Sequence, residues 1–258
     1  MKKIIYMAAF AAVLASSCKK ETVISEHDGE LTLSFDAKAG TGDFALNQDI
    51  TIGTRTYNFK SLRYWVSNVV LVKSDGTEYA VPESYYLLEE TGPVVVQEGD
   101  YTYPAKKRED VVLKNIPMAE YKAVKFSIGV DATHNDNLSL QAGELSQLSG
   151  MTNVSWMWHT SYIFTSLQGT VKEGATSKTF LAETGVNTNY KTLSLNLPSA
   201  MRVSSAKSAK ITLDVDVAKA IDGIDLIATP TIGASQASVM ATLADNYATK
   251  AITVTIAK

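Results

Sequence analysis

Three histidines and one cysteine carry most of the chemistry that this sequence offers: His27, His134, His159 and Cys18. Imidazole with oxygen donors suits copper(II), whereas copper(I) prefers Cys, Met and His. His27 falls in a polar stretch near the N-terminus, so a two-histidine metal site requires His134 to meet His159. Met157 stands two residues before His159, and in an extended strand such residues share a face, which offers a soft sulfur and nitrogen pair. The plainer reading of a lone strand histidine is structural. Asn135-Asp136-Asn137 presents oxygen ligands suited to calcium, without the glycine and terminal glutamate of an EF-hand. Asp214 and Asp216 share one strand face; solvent-facing alternation explains them better than a glycosidase pair, which needs two carboxylates across a cleft. The run from Gly40 to Ala45 fits a loose dinucleotide pattern, but no βαβ unit follows, so it reads as a loop. There is no Gly-x-Ser-x-Gly, no His-Glu-x-x-His and no second cysteine. The expectation is a protein that is not an enzyme.

Cys18 closes a pattern of its own. Lys2 and Lys3 precede an unbroken apolar stretch from Ile4 to Leu14, too short to span a bilayer as a stable helix. Ala15, Ser16 and Ser17 then place small residues directly before the cysteine. Charge, short apolar core and small-residue site in that order predict a signal peptide over residues 1–17. The arrangement resembles that of bacterial lipoproteins, although Ala15 stands where a leucine is usual and Leu14 lies one place further back. Acylated Cys18 is then the first residue of an exported chain, and the lipid is its membrane contact. The alternative is ordinary secretion, with Cys18 removed or left as a reactive thiol. Residues 18–29 are polar and aperiodic and read as a tether. Lys19-Lys20-Glu21 is compatible with sorting to the outer membrane of the cell envelope, with the periplasmic or exterior orientation left open.

The 258 residues carry 24 Lys and Arg against 27 Asp and Glu, a net charge of −3, and the leader would remove two of the lysines. Such a chain has no electrostatic reason to bind nucleic acid. Its densest basic run, Lys106-Lys107-Arg108, is answered by Glu109-Asp110 and reads as a solvated loop. A hydrophobic content of 45% is ample for a core.

Period-two alternation dominates the rest, which is the signature of half-buried strands. Leu31, Leu33 and Phe35 alternate with polar residues, as do Val124, Phe126, Ile128 and Val130. Similar runs cover Leu193–Leu197, Ile211–Val217 and Ile252–Ile256. Residues 62–73 form a long strand, apolar on both faces in places and therefore central. It is followed by the Asp75-Gly76 hairpin turn and a return strand at 78–81. Trp156 to Thr170 is another long strand. Its parity sets Trp156, Trp158, Tyr162 and Phe164 on one face, an aromatic face that reads as core, and Met157, His159, Ser161 and Ile163 on the other. Residues 217–221 suit a single helical turn. Residues 236–247 form the one amphipathic helix, with Ser235 as its N-cap. The whole predicts an all-β fold, an antiparallel β-sandwich (Ig-like or jelly-roll-like) with one short helix near the C-terminus, as one domain over residues 30–258.

From Leu62 onward the order of motifs resembles the MbnP-like family, periplasmic copper-binding β-sandwich proteins with lipoprotein relatives. The matching pieces are residues 62–69 (LRYWVSNV), the Asp75-Gly76 turn, residues 121–131 (YKAVKFSIGVD) and Asn135 or Asn137. The most distinctive is Trp156-x-Trp158-x-x-x-Tyr162-x-Phe164, followed by Gly169, Phe180 to Gly185, the strand at 211–217 and Ala244-Asp245-Asn246. The resemblance implies copper held by histidines beside a tryptophan that a partner haem peroxidase can oxidise. This sequence departs from the pattern at Ser161 (Gly in the family), Gln168 (Glu) and Glu183 (His). The inherited metal site is thus expected to be degraded, with His159, His134 and Glu183 as its remaining donors. A carboxylate is a hard donor, ill suited to copper(I). The competing reading is a non-catalytic module that binds a glycan, peptide or partner protein in the periplasm or at the cell surface.

Overall fold

A computed structural model describes residues 29–96, 100–153, 161–206 and 208–257 of the chain. In order, its principal strands are β1 (Gly29–Ala39), β2 (Arg55–Lys73), β3 (Tyr85–Thr91), β4 (Val94–Val96), β5 (Tyr101–Tyr103), β6 (Lys106–Arg108), β7 (Asp110–Ile116) and β8 (Glu120–Ile128). There follow α1 (Ala132–Asn135), β9 (Ser161–Glu173), β10 (Thr176–Gly185), β11 (Lys191–Arg202), β12 (Ala209–Asp216), α2 (Val217–Ala220), α3 (Ala237–Asn246) and β13 (Ile252–Ala257). The expected leader, the expected tether up to residue 28 and the residues Cys18, His27, Trp156, Trp158 and His159 lie outside the described residues, and Gly29, the last residue assigned to the tether, already begins β1. Among the described residues no helix is long and apolar enough to cross a membrane.

The strands make the all-β sandwich that their alternation predicts. One sheet runs β7-β1-β12-β13, and the other is built on β2, with β8 and β11 and then β9 and β10 along one edge and β3 along the other. Leu31, Leu33, Phe35 and Ala37 of β1 face Tyr64, Phe126 and their neighbours, and the inward residues of both sheets form the main core. Val124, Phe126 and Ile128 are all buried on one face of β8. Burying such alternating faces supplies the principal stabilisation, because each large apolar side chain removed from water contributes about 1.5–3 kcal/mol.

Several expectations are corrected. β1 and β12 pair in parallel, from Leu31 opposite Ala209 to Lys38 opposite Asp216. More than a hundred and fifty residues separate them in sequence, so no hairpin dictates their direction. Lys106–Arg108 is a strand rather than a loop. It pairs with β3, and its cations meet Glu89, Glu90 and Glu144. Asp216 does not face solvent: it is buried and accepts bonds from Gly40 N and Ala218 N, both at 2.9 Å, capping α2. Ser235 sits in a 3-10 turn, and α3 begins at Ala237 without a side-chain cap.

The long strand β2 is apolar on both faces for a physical reason. Two register shifts interrupt it, one near Lys60 opposite Gln168 and Gly169, the other at Asn68 opposite Lys125 and Ser127. Each extra residue turns the following side chains to the other face. The main core therefore receives Tyr57 and Phe59, then Leu62, Tyr64 and Val66, then Val69 and Leu71. The opposite face of β2 carries Trp65, which packs with Tyr85, Leu87, Val130, Leu145, Met151, Tyr162 and Phe164 in a second, smaller core. Residues from the excursion after β8 cover that face.

Candidate functional site

β8 and β9 occupy the same edge of β2, end to end. Ile128 is the last residue of β8 to pair, opposite Val66; β9 takes over at Thr165, opposite Tyr64. At this seam the two strands must diverge, and polar side chains from four parts of the chain collect beside it.

Asn68 is the bulged residue of β2, at φ 53°. Asparagine tolerates the left-handed region better than most residues, and a bulge re-aims the side chain it carries. Here the Asn68 amide donates to Tyr190 Oη at 2.6 Å and to Asp131 Oδ2 at 3.3 Å. Tyr85 Oη also donates to Asp131 Oδ2 and lies 3.0 Å from His134 Nδ1. His134 Nδ1 is in turn 3.2 Å from Asp131 Oδ1, across one turn of α1. The Tyr85 and His134 rings stack obliquely, with centroids 4.8 Å apart. Asp131 and His134 are half-buried. Burial alone would raise the Asp131 pKa, but hydrogen bonds from Tyr85, His134 and Asn68 outweigh it and hold the carboxyl below its usual value. Tyr85 is pushed well up, first by burial and then by its bond to that carboxylate. The corner thus holds one anion, one imidazole and two phenols in fixed positions.

A second polar group crosses the sheet four residues away along β2. Arg63 on β2 stands opposite Glu89 on β3 and Ser166 on β9, and Ser166 stands opposite Glu183 on β10. The Arg63 guanidinium places Nε and Nη2 at 2.9 Å from Glu89 Oε2 and reaches Ser149 O at 2.6 Å. Tyr103 of β5 donates to the other Glu89 oxygen and lies under the Arg63 guanidinium, 4.9 Å from ring centroid to Cζ. Glu183 is 8% exposed, and its one hydrogen bond comes from Ser166 Oγ at 3.2 Å. Burial pushes its carboxyl up to about 7, against the smaller lowering effect of Ser166.

Of the expected metal donors, the structure therefore separates His134 from Glu183. The partner of His134, Tyr85, is level with Ser67 of β2, whereas Glu183 is level with Arg63. Four residues of strand are roughly 13 Å. Their hydrogen-bond partners do not overlap, and His159 is outside the described residues. Among the described residues no group of three or more His, Cys, Asp or Glu could hold a metal ion. Glu183, buried, oxygen-bearing and reluctant to ionise, does not fit a copper(I) ligand set. Tyr162 and Phe164 are fully buried in the second core, with Tyr162 edge-on to Trp65 at 5.8 Å. Asn135, considered as a calcium ligand, instead accepts from Tyr162 N at 2.8 Å and donates to Asn187 at 2.9 Å. Asn68, Tyr85 and Tyr190 escaped the sequence reading. An asparagine in the middle of an apolar strand was the available sign of the bulge.

The fold is an all-β sandwich whose polar groups gather at a strand seam. The chain belongs to the MbnP family, whose model matches residues 28–241. Among solved structures it is similar to MbnP from Methylosinus trichosporium, at 17% identity, over 72% of this chain and 75% of that one, with a TM-score of 0.46. No curated protein matches it.

Proposed function

We propose that this chain is an exported, lipid-anchored binding protein of the cell envelope that takes a divalent metal ion weakly at the Asp131–His134–Tyr85 corner. The observation that carries this reading is the convergence of His134 Nδ1, Asp131 Oδ1 and Tyr85 Oη, with the imidazole nitrogen 3.2 and 3.0 Å from the two oxygens. Nitrogen and oxygen ligands bind such ions at about 2.0–2.2 Å, and two ligands at right angles are then roughly 3 Å apart. An ion can replace the hydrogen bonds of this corner with little movement of the chain. One imidazole with oxygen donors suits copper(II) or zinc better than copper(I). With water completing the shell, the site is weak. The copper use that family membership suggests thus takes a diminished form, without an enzymatic role of its own; a haem peroxidase is the partner class to seek.

Titration of the full chain with copper(II) and with zinc tests the site. Binding should be weak, lost in His134→Ala, reduced in Tyr85→Phe and unchanged in Glu183→Ala. Tight binding that survives His134→Ala would overturn the assignment. Anchoring is tested separately: Cys18→Ser should move the protein from the membrane to the soluble fraction, and a variant that still pellets after a high-salt wash would refute the lipid anchor.

A further inference from the structure

The turn that joins β10 to β11, the short helix α1 and the first half of α3 enclose a crevice of about 420 Å³. Val186, Ala237 and Ala241 supply its apolar side, and each of them is half-buried or exposed, so each keeps surface that a ligand can cover. The volume falls in the lower part of the range of about 300–1,000 Å³ spanned by small-molecule sites, which combine an apolar wall with a few fixed polar groups.

Asp136 is the fixed polar group here. The residue is exposed, and Asn187 Nδ2 donates to both of its carboxylate oxygens at 2.9 Å. Asn187 is held in turn: Asn135 Nδ2 donates to Asn187 Oδ1 at 2.9 Å, and Asn135 Oδ1 accepts from Tyr162 N at 2.8 Å. The turn that carries Asn187 is tied down by Asn189, whose Nδ2 donates to Gly185 O at 2.8 Å. The carboxylate is thus kept in one place without being neutralised. An ionised carboxylate offers about four acceptor sites, so this one can still receive a further donor.

Charge decides the class of ligand. Among the described residues that line the crevice, Asp136 and Lys191 are the charged ones. Lys191 is matched, with Nζ 2.7 Å from Asp245 Oδ1. Asp136 has the neutral Asn187 amide as its partner, and among the described residues no Lys, Arg or His pairs with it. The crevice therefore sets apolar surface beside one uncompensated negative charge. An anion would be repelled by Asp136 and would find Lys191 already engaged. We propose that the crevice binds a small organic cation, its apolar body against Val186, Ala237 and Ala241 and its ammonium group donating a charge-assisted hydrogen bond to the Asp136 carboxylate. The inference is independent of the metal corner, because no residue of that corner lines the crevice.

The probes are 2-phenylethylamine, 2-phenylethanol and 3-phenylpropionate, which share an apolar body and differ in charge. They are titrated into the full chain at neutral pH by calorimetry and by ligand-observed NMR, with a chelator present so that the metal corner plays no part. The amine should bind at least threefold more tightly than the alcohol, and the carboxylate most weakly. The advantage of the amine should shrink as salt is added, because the charge it meets is at the surface. Asp136→Asn, which keeps an acceptor for Asn187, should bring the amine and the alcohol to equal affinity. Ala241→Phe, which fills the crevice from α3 and leaves Asp136 in place, should weaken binding of the amine at least tenfold. No saturable binding of the amine, equal affinity for amine and alcohol in the unmodified chain, a preference that survives Asp136→Asn, or undiminished binding in Ala241→Phe would each overturn the proposal.

Discussion

Gly129 lies against the ring of Phe164 so closely that a Cβ on the glycine would stand 2.6 Å from both Cγ and Cδ2 of that ring. This contact is the seam at atomic scale. Gly129 N donates to Trp65 O at 2.9 Å as β8 leaves β2, and Phe164 enters on β9 immediately beside it. Gly129 also has φ +110°, a region that residues with a Cβ rarely adopt.

Gly129→Ala should therefore destabilise the protein by about 2–5 kcal/mol, combining backbone strain with overpacking. Urea unfolding gives the measurement. The same substitution in a Phe164→Leu background should cost at least about 1 kcal/mol less, since a smaller side chain can yield. Strictly additive effects would mean that the ring contact is not what excludes the methyl group.

Some of this arrangement can be read from sequence, and the boundary follows from physics. The alternation of Leu31, Leu33 and Phe35, or of Val124, Phe126 and Ile128, reports a strand with one buried face, and those residues are buried as it implies. The helix near the C-terminus emerges for the same reason, at Ala237–Asn246. Periodicity fails in β2, where bulges near Lys60 and at Asn68 reset the parity and a second core claims the outer face. It also cannot say that β1 lies parallel to β12, since direction depends on how distant strands meet. Of the polar corner, Asp131 and His134 are neighbours in sequence, but Tyr85, Asn68 and Tyr190 join them through the fold alone. Lys106–Arg108 is exposed at both lysines, as its composition implies; that it is a strand rather than a loop is not legible, because its pairing partner, β3 with Glu89 and Glu90, is remote in sequence.

The Arg63–Glu89 pair gives a second prediction. Its side chains are 3% and 0% exposed, so removing Arg63 leaves Glu89 in a low-dielectric site with only the half-exposed Lys106, 3.4 Å away, as countercharge. Arg63→Met should destabilise by about 3–5 kcal/mol, whereas the double variant Arg63→Met with Glu89→Leu should recover a large part of that loss. Denaturation midpoints of both variants decide the matter. A double variant worse than Arg63→Met alone would indicate that Tyr103 and Ser149 depend on the ions more than the ions depend on one another.

Glu183 supplies the last prediction, through its dependence on pH. Burial raises its carboxyl to about 7 in the folded protein, from an ordinary value of 4.5. Below about pH 4.5 the group is protonated whether the chain is folded or not, and it places no electrostatic burden on the fold. As pH rises toward 7, the unfolded chain releases this proton before the folded chain does, so folding stability falls. Above the folded value both states are ionised and the loss levels off, at on the order of 2–3 kcal/mol. Glu183→Gln retains an acceptor for Ser166 Oγ but cannot ionise. The stability of Glu183→Gln relative to the unmodified protein should therefore increase between pH 4.5 and pH 7 and stay constant beyond, measured by urea unfolding across that interval. A difference that is flat with pH would show that the Glu183 carboxyl is as well solvated in the folded protein as in the unfolded chain.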